Sequence, residues 1–266
     1  MIGFNYLGKL GQLGNQMFQY ATTMSVAHSI GTSFCVPNHT EIFDDGIGNK
    51  LRIELYEAFD IKPDRVGYIP TNNNYQEQDF PYDDSLFKVE GDWNLVGYFQ
   101  TEKYFSHISD RIREEFTFHE WIREDCDPIV DQFDNPVALH IRRGDYLINS
   151  ANHHNLSLKY YEKALKHFDS DRQVVIFSDD PDWCMEQELF SDDRFIVAQD
   201  IGSHHTLYLM TQCSDFIIAN STYSWWGAWL ANCGKVIAPN TWFGPNNAHK
   251  SIKDLYPEHW TILNYS

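Results

Sequence analysis

From Pro136 onward the chain alternates short apolar runs with amphipathic ones, and this rhythm constrains the fold more than any other feature. Residues 137–141, 173–177, 195–197, 215–219 and 235–238 have the apolar, β-branched and aromatic make-up of strands. Helices are expected between them. One begins near Ser157, a suitable N-cap, with Tyr160, Tyr161, Ala164, Leu165 and Phe168 as its buried stripe. A short one follows Pro181, and two more cover 204–212 and 222–232. Strands alternating with helices imply parallel βαβ units, so the expected fold class is α/β. The first half is less regular. Gly11 to Gln16 opens a helix whose apolar positions Met17, Tyr20, Ala21, Met24 and Ala27 recur at helical spacing, with Gly31 as its left-handed cap. Strands are expected at 33–36 and 95–99 and a helix at 101–116, while 38–90 is punctuated by Asp, Asn, Pro and Gly like a set of loops. A break near Asp134-Asn135-Pro136 divides the chain into expected domains 1–135 and 136–266.

The chemistry-bearing residues fall where the strands end. His140-Ile141-Arg142-Arg143-Gly144-Asp145-Tyr146 closes the strand at 137–141. The carboxyl edge of an open α/β sheet is where such folds bind ligands. Two planar, permanently charged guanidinium forks there suit phosphate oxygens. The chain as a whole carries a formal net charge of −18, which makes a local basic pair conspicuous and points to an anionic ligand, best a diphosphate. The competing reading is ion pairing with nearby acids, with Asp145 bracing one arginine. Ser178-Asp179-Asp180 follows the next strand. A carboxylate there can accept from a ribose hydroxyl or a purine N–H, or it can cap the helix at Pro181, a place that suits Asp180. Asn220-Ser221-Thr222-Tyr223 starts the helix after 215–219, where hydroxyls and free backbone N–H groups form an anion cradle. Trp225, Trp226 and Trp229 are mostly core.

Gly8, Gly11 and Gly14 are spaced GxxGxxG, which is neither a dinucleotide fingerprint nor a P-loop. They deliver a helix N-terminus that favours negative or polar groups. Asn15 and Gln16 place two amides there, suited to sugar hydroxyls.

Charge and composition exclude several classes. The acidic balance disfavours nucleic-acid binding and docking on anionic lipid. With 42% hydrophobic and 15% aromatic residues the chain has ample material for a core. Five cysteines without a CxxC pair fit a reduced, cytoplasmic setting. No apolar run approaches the roughly 18 residues of a membrane span, and no signal-peptide pattern opens the chain. Twelve histidines include the adjacent pairs His153-His154 and His204-His205 but no metal-ligand frame, so no metal is expected.

Three blocks, Gly11-Gln-Leu-Gly-Asn-Gln-Met-Phe-Gln-Tyr-Ala21, His140-Ile-Arg-Arg-Gly-Asp145 and Asn220-Ser-Thr-Tyr-Ser-Trp-Trp-Gly227, together resemble the signature blocks of the α-1,2-fucosyltransferases, glycosyltransferase family eleven. They stand in the family's order and span most of the chain. The HxRRxD block is shared with the α-1,6- and protein O-fucosyltransferases. Gln12 is a departure, since the family often has Gly there. The resemblance implies a GT-B-like fold of two Rossmann-like halves facing a cleft, the first on the acceptor side and the second binding the donor. It implies GDP-fucose as donor, inversion at the anomeric carbon, no required cofactor or metal, and a galactose-ended glycan as acceptor. By the family pattern Arg142 holds the β-phosphate and Arg143 helps to position it. His140 and Asp179 lie near the guanosine, and Ser221, Thr222 and Tyr223 cradle the diphosphate. Gly14 belongs to the donor-binding set, and Asn15 faces the fucose or the acceptor. The catalytic base stays open: Asp145 is a candidate, with His153, His154 and carboxylates of the first half as alternatives. Other readings are a transferase using a different nucleotide sugar and a non-catalytic glycan-binding protein, although neutral sugars give a lectin no use for Arg142-Arg143.

Overall fold

The computed structural model describes residues 1–46 and 49–265. It divides into two compact units, one comprising 1–119 and 250–257, the other 120–249 and 258–266. The division falls earlier in the chain than the expected break at 134–136.

In the first unit a parallel sheet has the order β5-β2-β1-β7-β6, from β1 (Ile2–Gly3), β2 (Phe34–Val36), β5 (Arg65–Val66), β6 (Asn74–Gln76) and β7 (Trp93–Val96). The short antiparallel pair β3 (Phe43–Asp44) and β4 (Lys50–Leu51) stands apart from it. Helix α1 (Leu13–Ser29) connects β1 to β2 and is buried along almost its whole length, including Gln16, Gln19, Thr22, Thr23 and Ser25. Buried polar side chains need partners. Gln19 finds them by donating to the carbonyls of Leu10 and Gly97, and Ser25 by donating to that of Tyr104. The helix ends as expected: Gly31 takes φ +68°, and the Thr32 N–H returns to the carbonyl of Ala27. A single turn, α2 (Leu55–Ala58), follows β4.

Three expectations in this half change. The strand expected at 95–99 stops at Val96, because the backbone turns through positive φ at Gly97 and Phe99. The helix expected at 101–116 splits into 3-10 turns at 102–104 and 106–108, and only α3 (Ser109–Glu115) is α-helical. The Tyr104 carbonyl, which a continuous helix would use internally, is taken by Ser25. The segment 38–90 contains β5 and β6, which lie at the two edges of the sheet and are too short and exposed to show a pattern.

The second unit holds a six-stranded parallel sheet of order β10-β9-β8-β11-β12-β13, from β8 (Val137–Ile141), β9 (Val174–Ser178), β10 (Phe195–Val197), β11 (Asp215–Ile217), β12 (Val236–Pro239) and β13 (Thr261–Leu263). β8 is buried at all five positions. Its layer packs with Tyr160, Tyr161, Ala164 and Leu165 of α6 (Leu158–Leu165), the stripe read from the sequence. Helix α4 (Glu120–Val130) joins this unit. The Cys126 thiol donates to the carbonyl of His205, at the start of α8 (Ser203–Thr211), and His205 in turn meets Asp125. Helix α9 (Thr222–Ala231) packs on α8 at Gly227, where a Cβ would collide with Met210. Short helices α5 (Gly144–Ile148) and α7 (Pro181–Met185) follow β8 and β9 directly. β13 pairs in parallel with β12 at the sheet edge, and its exposed residues carry no alternation to read. The five cysteines are free thiols. Among the described residues no helix is long and apolar enough to cross a membrane.

Candidate active site

The site begins at the carboxyl end of β8. Five consecutive buried positions bring His140 to a point 5% exposed, and the backbone then leaves the sheet, so Arg142 and Arg143 emerge side by side above the strand ends. Each guanidinium is held. Arg142 Nη2 lies 2.6 Å from Asp145 Oδ1 and its Nη1 3.1 Å from Asp179 Oδ2. Arg143 Nε lies 2.9 Å from Asp180 Oδ2, and its guanidinium carbon sits 3.8 Å from the ring centroid of Trp183. Asp179 Oδ1 also accepts the backbone N–H of Arg143 at 2.8 Å. The register of β8 with β9 sets Ile141 against Ser178, which places the acids Asp179 and Asp180 directly opposite the arginines. Gly144 suits this approach, since a Cβ there would stand 2.6 Å from Asp179 Oδ2 and push that carboxylate aside.

The ion-pair reading of the basic pair therefore holds: both guanidiniums are engaged by carboxylates, which orient them. Burial works against the Arg142 charge, but Asp179 and Asp145 outweigh it and hold its pKa above the ordinary value. Asp180 serves as expected as the N-cap of α7, accepting from the Trp183 N–H at 3.3 Å, and also anchors Arg143. Trp183 was not singled out by the sequence reading. It is the third residue of a Pro-started helix, and nothing in that pattern separates a cation platform from a core tryptophan.

His140 faces the opposite way electrostatically. Burial, with a further push from Arg142, drives its pKa down to about 3, so the imidazole is neutral at any working pH. Its Nδ1 is buried without a hydrogen-bond partner, and its ring lies 5.6 Å from that of Tyr223. Ser221 caps α9 by accepting from the Tyr223 N–H, and Asn220 is fixed by donating to the carbonyls of His154 and Trp242, 2.8 Å each. Tyr146, on α5, donates to the Asn220 carbonyl at 3.0 Å and stacks on His153 with centroids 4.2 Å apart. Thus His140, Arg142, Arg143, Asp145, Asp179, Ser221, Thr222 and Tyr223 gather on three neighbouring strand exits of one unit, those of β8, β9 and β11. Tyr146 ties the first to the third.

Gly14 and Asn15 belong to the first unit. Gly14 is buried in the first turn of α1, and Asn15 Oδ1 accepts from Gln100 Nε2 at 2.8 Å. Gln12 occupies the N-cap without capping through its side chain. The cap comes from Glu54, whose Oε2 accepts the Leu13 N–H at 2.8 Å. This carboxylate, 41 residues away in the chain, could not be found by local reading. Among the described residues no three His, Cys, Asp or Glu side chains converge as a metal-ligand group.

The sequence pattern of Glycosyl transferase family 11 matches residues 2–264. The O-antigen biosynthesis glycosyltransferase WbnK of Escherichia coli is 28% identical over 92% of this chain and 97% of its own. Galactoside alpha-(1,2)-fucosyltransferase 1 of Alouatta caraya is 26% identical over 86% of this chain and 66% of its own. Among solved structures, NodZ alpha-1,6-fucosyltransferase soaked with GDP-fucose is similar in fold, with a TM-score of 0.55 over 94% of this chain and 97% of that one, at 12% identity.

Proposed function

The chain belongs to glycosyltransferase family 11, and from that premise we propose that it moves L-fucose from GDP-fucose to the 2-hydroxyl of a galactose-type acceptor glycan, with inversion at the anomeric carbon. The observation that carries the reading is the arginine pair at the end of β8, each guanidinium held in place by carboxylates before a diphosphate arrives. The relative from Alouatta caraya bears the name of this activity, and the solved NodZ structure was soaked with GDP-fucose.

In this reading the acceptor oxygen forms a bond to the anomeric carbon as the bond from that carbon to the β-phosphate oxygen breaks. The acceptor's proton passes to a base, and GDP leaves with the bonding pair. Negative charge grows on the departing diphosphate. Donors that are already aimed stabilise that charge more than they stabilise the bound substrate, and this difference is what accelerates the reaction. Arg142 takes the β-phosphate and Arg143 its neighbour, which supplies charge neutralisation without a metal ion. The first-turn N–H groups of α9 and the hydroxyls of Ser221 and Thr222 add donors from the other side. His140, held neutral, can donate or accept one hydrogen bond toward the guanosine, and Asp179 closes that end. The ion pair with Arg142 favours Asp145 as its brace over a role as base. Asn15 is assigned to the fucose or acceptor.

Thermal melting of the chain with GDP, GDP-fucose, GDP-mannose, UDP and NAD, with and without EDTA, tests this reading. A ligand at about 100 times its dissociation constant adds ~2.7 kcal/mol, a rise of roughly 5 °C for a chain of this size. A rise confined to GDP and GDP-fucose and indifferent to EDTA is expected. No rise with any guanine nucleotide overturns the assignment.

A further inference from the structure

Helix α5 is a short turn that the core does not grip. None of its residues is buried, and Leu147 and Ile148 are 47% and 77% exposed. A turn of this length is unstable alone, because nucleating a helix fixes several residues for very few hydrogen bonds. Yet α5 carries Asp145, which holds Arg142 at 2.6 Å. Whatever keeps this turn in place therefore decides where the Arg142 guanidinium points.

The contacts converge on Tyr146. Its hydroxyl donates to the Asn220 carbonyl at 3.0 Å, and its ring stacks on His153 with centroids 4.2 Å and planes 14° apart. The Arg142 guanidinium carbon lies 5.5 Å from the centroid of the same ring. The Tyr146 carbonyl accepts from Asn155 Nδ2 at 3.1 Å. Burial raises the pKa of the phenol, and Arg142 and a hydrogen bond with the Ser221 side chain offset only part of the rise. The group is a protonated donor at neutral pH. Burial also lowers the His153 pKa, so the stack joins two neutral rings.

The receiving side is firmly held. Leu139 of β8 pairs with Ile217 of β11, so Arg142 and Asn220, each three residues further on, leave neighbouring strands at the same level. Asn220 is 2% exposed, and its side chain is tied to the carbonyls of His154 and Trp242. Beyond it α9 buries Trp225, Trp226 and Trp229. The phenol thus reaches from a turn with no anchor of its own to the start of a helix fixed in the core.

We propose that Tyr146 is a positioning residue for the transfer: it docks α5 on the start of α9 and so fixes Arg142 at the β8 exit against Ser221 at the β11 exit. The role rests on the transferase reading for what the two sides grip, the departing diphosphate. Donors stabilise its growing charge best when they are already in place. Tyr146 acts through Arg142 and Ser221. Loss of its hydroxyl takes a donor from the Asn220 carbonyl and lets α5, Asp145 and Arg142 shift together.

The experiment compares the full wild-type chain with Tyr146→Phe, which keeps the stack and loses the hydroxyl, and with Tyr146→Leu, which loses both. Melting sets a temperature at which the variants are folded, and Tyr146→Phe decides the matter if Tyr146→Leu does not fold. Hydrogen exchange without ligand follows the Leu147 and Asn149 amides, which donate to the carbonyls of Arg143 and Asp145. GDP affinity is read by calorimetry, and turnover as GDP released from GDP-fucose with lactose, a galactose-ended disaccharide. In Tyr146→Phe the two amides should exchange roughly 3- to 10-fold faster, the scale of one hydrogen bond, while those of α9 keep their wild-type rates. Its kcat should fall roughly 10- to 100-fold, the scale of a small misplacement, with a smaller change in GDP affinity. Tyr146→Leu should go further in both. A merely structural role lowers Tm and leaves kcat intact in the folded variant. A kcat within about twofold of wild type in Tyr146→Phe overturns the proposal, and so do unchanged exchange rates at Leu147 and Asn149. Faster exchange there in a chain whose wild type binds no GDP upholds the docking by Tyr146 and removes the donor assignment instead.

Discussion

Arg143 lies over the ring of Trp183 while Asp180, three residues before that tryptophan, holds its Nε from the edge. The platform and the anchor come from the same helix start, and together they orient the guanidinium. A cation over an indole gains about 0.5–2 kcal/mol depending on desolvation. Trp183→Leu is expected to weaken GDP binding by roughly 3- to 30-fold, read by titration calorimetry, with a smaller effect on the turnover of bound donor. Unaltered GDP affinity would show that Arg143 needs no platform.

In the proposed mechanism Arg142 takes the β-phosphate. Arg142→Ala should lower transfer by at least ~100-fold, the scale of losing one preorganised donor to a developing charge. Arg142→Lys should recover little, because an ammonium cannot span Asp145 and Asp179 as a fork does. The assay is fucose transfer to a galactose-ended acceptor at saturating donor. Near-normal rates in the alanine variant would remove Arg142 from the mechanism.

Asp145 has two possible roles that kinetics can separate. As a brace, its replacement by Asn keeps one hydrogen bond to Arg142 but loses the charge, so KM for the donor rises several-fold and the pH profile keeps its shape. As a base, Asp145→Asn would abolish the acidic limb of the profile along with most of kcat. The 2.6 Å contact with Arg142 favours the first outcome.

The clustering of the residues at the β8 and β9 exits was legible because their positions are local consequences of strand ends. β8 and β9 are apolar runs that stop at charged residues, and parallel register carries Asp179 to Arg143 without further information. The α6 stripe was legible for the same reason. What stayed hidden depends on distant partners or on short edges. Glu54 caps α1 across 41 residues. Ser25 diverts the Tyr104 carbonyl and breaks a helix that its own residues would form. β5, β6 and β13 are edge strands of two or three residues, below the length at which alternation has meaning.

His140 gives the fold a dependence on acid. Its folded pKa is about 3 against an ordinary value of 6.5, so below pH 6.5 the unfolded chain takes up a proton that the folded chain refuses. The stabilisation is complete above pH 6.5 and is lost as pH falls toward 3. Between pH 7.5 and 5 this single group accounts for about 2 kcal/mol. Urea midpoints of wild type and His140→Gln at the two pH values measure it. The difference between them should shrink by about that amount in the variant, and an unchanged difference would assign the acid sensitivity to other groups.

Glu54 separates a cap from a charge. Its carboxylate accepts the Leu13 N–H at 2.8 Å, but burial raises its pKa, with Arg52 and the Leu13 hydrogen bond offsetting only part of the cost. The hydrogen bond stabilises the start of α1, whereas the charge, taken by itself, opposes burial. Glu54→Ala removes the cap and should lower stability by about 1 kcal/mol, a fall in Tm of roughly 2–4 °C. Glu54→Gln keeps an acceptor oxygen for Leu13 and removes the buried charge, so its Tm at neutral pH should equal or exceed that of wild type. Differential scanning calorimetry at pH 7.5 decides the matter. A glutamine variant as unstable as the alanine variant would show that the negative charge itself, acting on the helix N-terminus, is what holds the glycine loop and Asn15 in place.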